Sequence, residues 1–354
     1  MERVTANGML PGCVYWTSQA TRVGWFLGEY LLSARLGRDD PPPERPPSTR
    51  RRPTTGLVDL LSDLGTLLAQ DQRNVRDGLY RAPYDQIPNL PAWLAGAIRY
   101  FRDLPAVTQR RRRNGWRDVD TEVPSGLQAL PDYYRRNFHF QTDGYLSEHS
   151  ARLYDHQVEV LFLGAADAMR RQALPSIGAF VRRAGGNRPR LLDIGCGTGQ
   201  FLTFVRDSFS DIDVIGIDIS RPYLAEAKRR LARWPGAERL CGLGEYLPIA
   251  DGSIDVITST YLLHEVPSDV RQRMALECAR VLKRPGRLVV VDSLQFGDRP
   301  EYDGMLAGFP TSFHEPYYRD YAESDLIQLF SGAGFTLVDE RLAFLSKVMV
   351  FDLR

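Results

Sequence analysis

Lysine is nearly absent from this chain. Of its 45 basic residues only Lys228, Lys283 and Lys347 are lysines, so 42 are arginines. An arginine excess of this kind follows from G+C-rich coding DNA and by itself points to no anionic partner. Cysteine is scarce as well. Cys13, Cys196, Cys241 and Cys278 are widely spaced, with no CxxC pair. That argues against a zinc ribbon or a disulfide framework and fits a cytoplasmic protein kept reduced. Long apolar runs are missing: the longest, near residues 23–32, is interrupted by Glu29, and a bilayer span needs ~20 such residues. Met1-Glu2-Arg3-Val4 opens no basic-then-apolar leader, so no signal peptide is expected. Histidine is limited to His139, His149, His156, His264 and His314. With no clustered carboxylate–His set along the chain, no metal is expected. There are no internal repeats.

What is there amounts to about two domains: 354 residues, 43% of them apolar, enough for a sizeable core. The net charge of +1 joins two unlike parts. Residues 1–190 hold 27 basic and 20 acidic residues, a net of +7, and residues 191–354 hold 18 and 24, a net of −6. Charge asymmetry between halves can mark an anionic partner. Here the basic excess reads as an accessory surface, and the run Arg110–Arg113 as a solvated helix end suited to the macrodipole.

The first 120 residues predict a helical accessory domain. Val23, Phe26, Leu27, Tyr30 and Leu31 fall on one helical stripe, as do Leu57, Leu60, Leu61, Leu64, Leu67 and Leu68. A third stripe runs from Trp93 to Phe101. Pro41–Pro47 and Arg50–Arg52 mark a semi-extended linker near 38–56. Residues 121–186 read as a lid and helical lead-in. It is irregular and aromatic to about 150, then helical at Tyr154, Val158, Leu161, Phe162 and Ala165, with a last helix from Pro175 to Gly185-Gly186. From 187 to 354 the grammar becomes βαβα: apolar runs at 191–194, 214–217, 254–258 and 288–291 alternate with helical stretches. That predicts a parallel sheet with helices on both faces. Thr336–Leu345 and Val348–Leu353, joined at Ser346-Lys347, predict an antiparallel hairpin at its edge.

The sharpest motif is Leu191-Leu192-Asp193-Ile194-Gly195-Cys196-Gly197-Thr198-Gly199, a strand running into a glycine turn and a helix. The pattern is G-x-G-x-G, with Gln200 where a dinucleotide fingerprint has its last glycine. Asp218 follows at the end of the next strand, where a carboxylate can accept both ribose hydroxyls. Residues 187–354 resemble a class I S-adenosylmethionine-dependent methyltransferase, with a Rossmann-like seven-stranded sheet and a terminal antiparallel hairpin. By that resemblance the donor, S-adenosyl-L-methionine, is held by Asp193, Gly195, Cys196, Gly197 and Gly199, by Asp218 and Ile219, by Leu243, Gly244 and Glu245 at the adenine, and by Thr260. Leu243 stands where the family usually has Asp, and Arg287 replaces the second glycine of the L-K-P-G-G turn. Tyr261-Leu262-Leu263-His264-Glu265-Val266-Pro267 most resembles small-molecule methyltransferases, including quinone-type C-methyltransferases. The N/D-P-P-Y/F motif of enzymes that methylate base amines is absent.

Deprotonating a phenol or enol calls for a nearby base, and imidazole suits the task. The candidates are His264 after the fourth strand, His314 in the insert before the last helix, and His139 in the lid. Each also has a structural reading: capping the loop or bonding Glu265 for His264, an aromatic loop packed on the N-terminal domain for His314, and interdomain packing for His139. Tyr133, Tyr134, Tyr261, Glu315, Tyr317 and Tyr318 are candidates to line the acceptor pocket. The expected function is methyl transfer to a small aromatic or lipophilic acceptor at carbon or oxygen. Two alternatives stay open: a cofactor-binding domain without methyl transfer, serving cyclisation or binding, and a nucleic-acid methyltransferase using the basic half. The helical part is also available as a homodimer surface or a peripheral membrane contact.

Overall fold

A computed structural model describes residues 12–36, 56–83, 89–120 and 130–354. The proline-rich linker lies outside the described residues. Seven strands form one sheet: β1 (Arg190–Ile194), β2 (Asp213–Asp218), β3 (Glu238–Cys241), β4 (Ile254–Thr260), β5 (Leu282–Ser293), β6 (Phe335–Ala343) and β7 (Ser346–Leu353). Their spatial order is β3-β2-β1-β4-β5-β7-β6, and β7 runs antiparallel to both β5 and β6. The central strands are apolar at successive positions because both faces are covered. Leu191, Val289, Val348 and Val350 pack into one layer. Leu192, Val290, Met349 and Phe351 pack into the other.

Two details differ from the sequence reading. β3 went unread because Glu238-Arg239-Leu240-Cys241 is a half-exposed edge strand with no apolar run. The hairpin turns at Phe344-Leu345 rather than Ser346-Lys347. Ser346 and Lys347 already pair with Ala343 and Leu342, and Phe344 takes the positive φ, 58°. Arg287 has a plain structural role: its guanidinium reaches both oxygens of Asp352 at 2.8 and 3.0 Å, tying β5 to β7.

The helices between strands are α7 (Gln200–Ser208), α8 (Arg221–Arg230), α9 (Ser268–Val281) and α12 (Leu326–Gly332), with α10 (Asp303–Phe313) and α11 (Tyr318–Glu323) inserted after β5. Ahead of the sheet come α1 (Gly12–Leu36), α2 (Leu57–Arg76), α3 (Leu90–Arg113), α4 (Glu148–Leu161), α5 (Ala166–Arg171) and α6 (Leu174–Arg183). Ser147 caps α4 by accepting the Ser150 N–H at 3.1 Å, and Asn89 caps α3 by accepting the Ala92 N–H at 3.2 Å.

The N-terminal helices dock through buried polar groups. Asp71 accepts from Tyr15 and Tyr80 hydroxyls at 2.7 and 2.6 Å and from the Arg171 guanidinium at 2.9 and 2.8 Å. Arg22 of α1 donates to the Gly164 carbonyl at 3.0 Å and pairs with Glu159 at 2.7 Å. This corrects part of the apolar stripe expected for α1, of which Phe26 is buried and Val23 and Leu27 are half-buried. Its buried face is Tyr15, Ser18, Gln19, Arg22, Phe26 and Glu29, while Tyr30 and Leu31 are exposed. Satisfied ionic contacts, not hydrophobic periodicity, select the inward side.

Candidate active site

β1 ends in a turn that only glycine fits comfortably. Gly195 and Gly197 have φ of 71° and 54°, and a Cβ on Gly195 would stand 2.9 Å from Leu262. Asp218, at the end of β2, locks this turn. One carboxylate oxygen accepts the Gly197 N–H at 2.8 Å and the other the Ser220 N–H at 2.7 Å. Burial raises its pKa to about 6, against the lowering effect of those two donors. Beneath the turn Asp193 is buried and accepts from the Thr258 hydroxyl at 2.7 Å, and burial lifts it to about 7.

A narrow cavity of about 100 Å³ lies over these strand ends. Among the residues expected to hold the cofactor, Gly195, Gly197, Asp218, Ile219, Leu243, Gly244, Glu245 and Thr260 line it. Asp193, Cys196 and Gly199 do not: Asp193 braces the turn from below, and Gly199 gives α7 its close approach to Ala227 and Leu231 of the α8 region. The Thr260 hydroxyl is buried with no hydrogen-bond partner.

The segment before the sheet closes over this cavity. Tyr133 donates to Glu245 at 2.6 Å, and Tyr145 to Glu265 at 2.6 Å. Ser220 donates to the Tyr145 carbonyl at 2.6 Å. Asp155 of α4 accepts from Thr198 in the glycine turn at 2.8 Å and from Arg230 at 2.6 Å. Tyr133, Tyr134, Tyr145, Tyr154 and Tyr261 all line the cavity.

A second, larger chamber of about 810 Å³ lies among α1, α3, α4 and the end of α10. Its wall is mixed: Leu104, Val107, Val160, Leu161 and Phe313 give apolar surface, and Asp103, Arg111, Arg112, Gln141 and Gln157 give polar surface. Tyr154 lines both cavities. His139 lines the chamber, and its Nε2 lies 3.9 Å from Glu265, which lines the narrow cavity.

Behind this wall, in residues that mostly line neither cavity, the structure gathers groups that are far apart in sequence. Asp292, fully buried, accepts the backbone N–H groups of Leu262 and Leu263 at 3.2 and 2.8 Å and contacts His264 Nδ1 at 2.5 Å. Burial opposes the His264 cation, but Asp292 outweighs it and raises the ring to about 9. His139 Nε2 lies 3.0 Å from Glu315. Burial opposes the His139 cation too, and Glu315 and Glu265 raise it. Burial pushes the Glu315 carboxyl up, to about 8.

The remaining candidates sit elsewhere. His314 stacks on Trp116 at 5.0 Å and lines neither cavity; burial and Arg136 lower it to about 4. Tyr318 is core, its hydroxyl 2.6 Å from Ser293, and Tyr317 lies against the Arg136 guanidinium. Sequence reasoning passed over Tyr145, Tyr154 and Asp292. Asp292 was findable only as an acid inside the apolar fifth strand.

A methyltransferase-domain family model matches residues 192–290. A demethylmenaquinone methyltransferase of Beutenbergia cavernae is 37% identical over 144 residues, 40% of this chain and 54% of that one. An uncharacterized methyltransferase of Synechocystis is 31% identical over 156 residues, 43% of this chain and 69% of the relative. The chain belongs to the class I S-adenosylmethionine-dependent methyltransferases. A malonyl-[acyl-carrier protein] O-methyltransferase of Methylococcus capsulatus is 31% identical over 121 residues, 34% of this chain and 43% of that one. This methyltransferase spans about half the length of the first curated relatives it matches. Among its described residues no helix is long and apolar enough to cross a membrane.

Proposed function

We propose that this methyltransferase moves a methyl group to a small, lipophilic or aromatic acceptor, at carbon or oxygen, held in the 810 Å³ chamber. The observation that carries this reading is Tyr154, which lines both the glycine-turn cavity and the chamber, with chamber residue His139 3.9 Å from donor-cavity residue Glu265. The donor cavity takes its residues from the strand ends and the lid, and the chamber from the N-terminal helices, the lid and the end of α10. We accordingly treat residues 1–120 as an accessory helical part, 121–186 as a lid and lead-in, and 187–354 as the methyltransferase core.

S-adenosylmethionine supplies an electrophilic methyl on a sulfonium, which leaves as a neutral thioether once an acceptor's electron pair bonds the carbon. The residues present suit that donor. Gly195 and Gly197 leave room against the backbone, Asp218 offers a fixed carboxylate to ribose, and Leu243 and Gly244 supply apolar and backbone groups near the adenine. The unpartnered Thr260 hydroxyl is a further polar contact waiting on the same wall. Tyr133 and Tyr145, latched on Glu245 and Glu265, exclude water. The protein's largest contribution is then orientation, worth up to about 7–11 kcal/mol.

His264 is the residue assigned to proton handling. Asp292 holds Nδ1, which leaves Nε2 to exchange a proton with an acceptor oxygen. His139 is the second group at the wall. His264 itself lines neither cavity and would act from beside Glu265, which lines the donor cavity. His314 drops out of this role because it is stacked on Trp116 and burial with Arg136 holds it low, at about 4. The exposed Leu31, Leu32 and Leu36 of α1 flank chamber residues Tyr30 and Ala34 and support entry of a lipophilic acceptor from that side. Four free cysteines support a cytoplasmic location.

Incubation of the protein with methyl-labelled donor and a metabolite extract tests the reading. Label is expected in a small molecule that partitions into organic solvent. Firm donor binding with no labelled small molecule, or label in RNA or protein, would overturn it.

A further inference from the structure

We propose that His139, Glu265 and Glu315 bind a divalent first-row cation, of the Zn²⁺, Mn²⁺ or Fe²⁺ class, at the wall between the two cavities. One ligand atom from each lies within 4.8 Å of the others. His139 Nε2 is 3.0 Å from Glu315 and 3.9 Å from Glu265. Donors placed about 2.0–2.2 Å from one ion stand roughly 3–3.6 Å apart when they are neighbours around it, so small side-chain movements suffice.

The observation that asks for a cation is Glu315. It is 0% exposed, and neither of its carboxylate oxygens accepts a hydrogen bond. A buried carboxylate with no donor is costly, and among the described residues the charged group in ion-pair contact with it is His139, across the cluster. The surrounding charges do not compensate. The charge of Asp292 is taken up by His264 and by three backbone N–H groups. Glu265 receives the Tyr145 hydroxyl. Two carboxylates thus share His139, while the His264 Nε2 comes no nearer to Glu265 than 4.0 Å and is already paired through Nδ1 with Asp292. A dication supplies the missing charge and lets His139 serve as a neutral nitrogen ligand.

One nitrogen and two carboxylates suit first-row ions better than Ca²⁺ or Mg²⁺, which favour oxygen alone. The Asp292–His264 pair beside Glu265 resembles the outer carboxylate–histidine pairs that steady such sites. Open coordination positions would face the chamber that His139 lines. An acceptor carrying an enol, phenol or carboxylate oxygen would complete the shell, and a bound cation makes such an oxygen easier to ionise.

The test uses the full chain without donor or acceptor. Protein stripped with EDTA is titrated calorimetrically with Mn²⁺ and with Zn²⁺, and retained metal is measured by mass spectrometry after gel filtration. About one equivalent is expected, with affinity weakened roughly 100-fold in both Glu315→Gln and His139→Gln. Glu315→Gln should keep wild-type affinity for S-adenosylhomocysteine, and both variants should keep the wild-type thermal melt, which shows that they fold. Substoichiometric metal in the wild type, or wild-type metal affinity in a folded Glu315→Gln, overturns the proposal. Neither result touches donor binding, so the metal site and the methyltransferase reading fail separately.

Discussion

Asp218→Asn separates the donor site from everything else in the molecule. In the native protein both carboxylate oxygens are already held, by the Gly197 and Ser220 N–H groups. The proposed ribose hydroxyls add two charge-assisted hydrogen bonds, each worth about 1.5–3 kcal/mol. An amide keeps one acceptor oxygen and turns an NH₂ toward groups that are themselves donors. The net loss is then at least about 3 kcal/mol, or roughly 10²-fold in Kd. Titration calorimetry with S-adenosylhomocysteine at pH 8 reads this directly, with a thermal melt to confirm folding. Native Asp218 also carries a pH signature. Its pKa is raised to about 6 by burial, and ribose needs the ionised form. Affinity should be flat above pH 7 and fall toward tenfold per unit below about pH 6. In the variant that slope should vanish. The free protein follows the opposite sign: the raised carboxyl favours folding at low pH, and that contribution is lost as pH rises through about 6. A variant within threefold of wild type, or a wild-type affinity unchanged between pH 8 and 5, would refute the role of Asp218.

Other perturbations address the remaining parts. Asp71→Asn strips charge from a fully buried site that two tyrosines and Arg171 share. Removing the Asp71 charge from opposite Arg171 should cost about 3–5 kcal/mol, seen as a melting temperature lower by roughly 10 °C. His264→Gln should cut kcat by about 10²–10⁴ while the Kd for S-adenosylhomocysteine stays put; equal kcat would remove His264 from proton handling. Leu104→Trp fills part of the chamber. It should raise the acceptor KM by about tenfold or more with donor affinity unchanged, and an unchanged KM would move the acceptor elsewhere.

The parallel strands were legible because each buries both faces, which writes a short apolar run into the sequence. β3 has one half-exposed side and wrote none. The glycine turn and Asp218 were legible because backbone geometry demands particular residues at fixed spacing. The lid was not. Tyr145 and Tyr154 reach the site through tertiary contacts of 120 residues' separation or through a cavity shared by two layers, and no local periodicity encodes such contacts. The His139–Glu265–Glu315 cluster is the strongest case: three residues from the lid, the loop after β4 and the segment after α10 meet only in the fold. The α1 stripe misled for a related reason, since Arg22 and Glu29 are buried by partners that sequence spacing does not reveal.

The donor cavity and the acceptor chamber meet at Tyr154, and a donor held by Asp218 and the glycine turn would present its methyl toward that wall. A crystal structure with S-adenosylhomocysteine bound measures it directly. The account predicts ribose hydroxyls on Asp218, the adenine beside Leu243 and Gly244, and the sulfur turned toward that wall. A ligand bound away from the Gly195–Gly197 turn, or a sulfur turned away from the chamber, would contradict it.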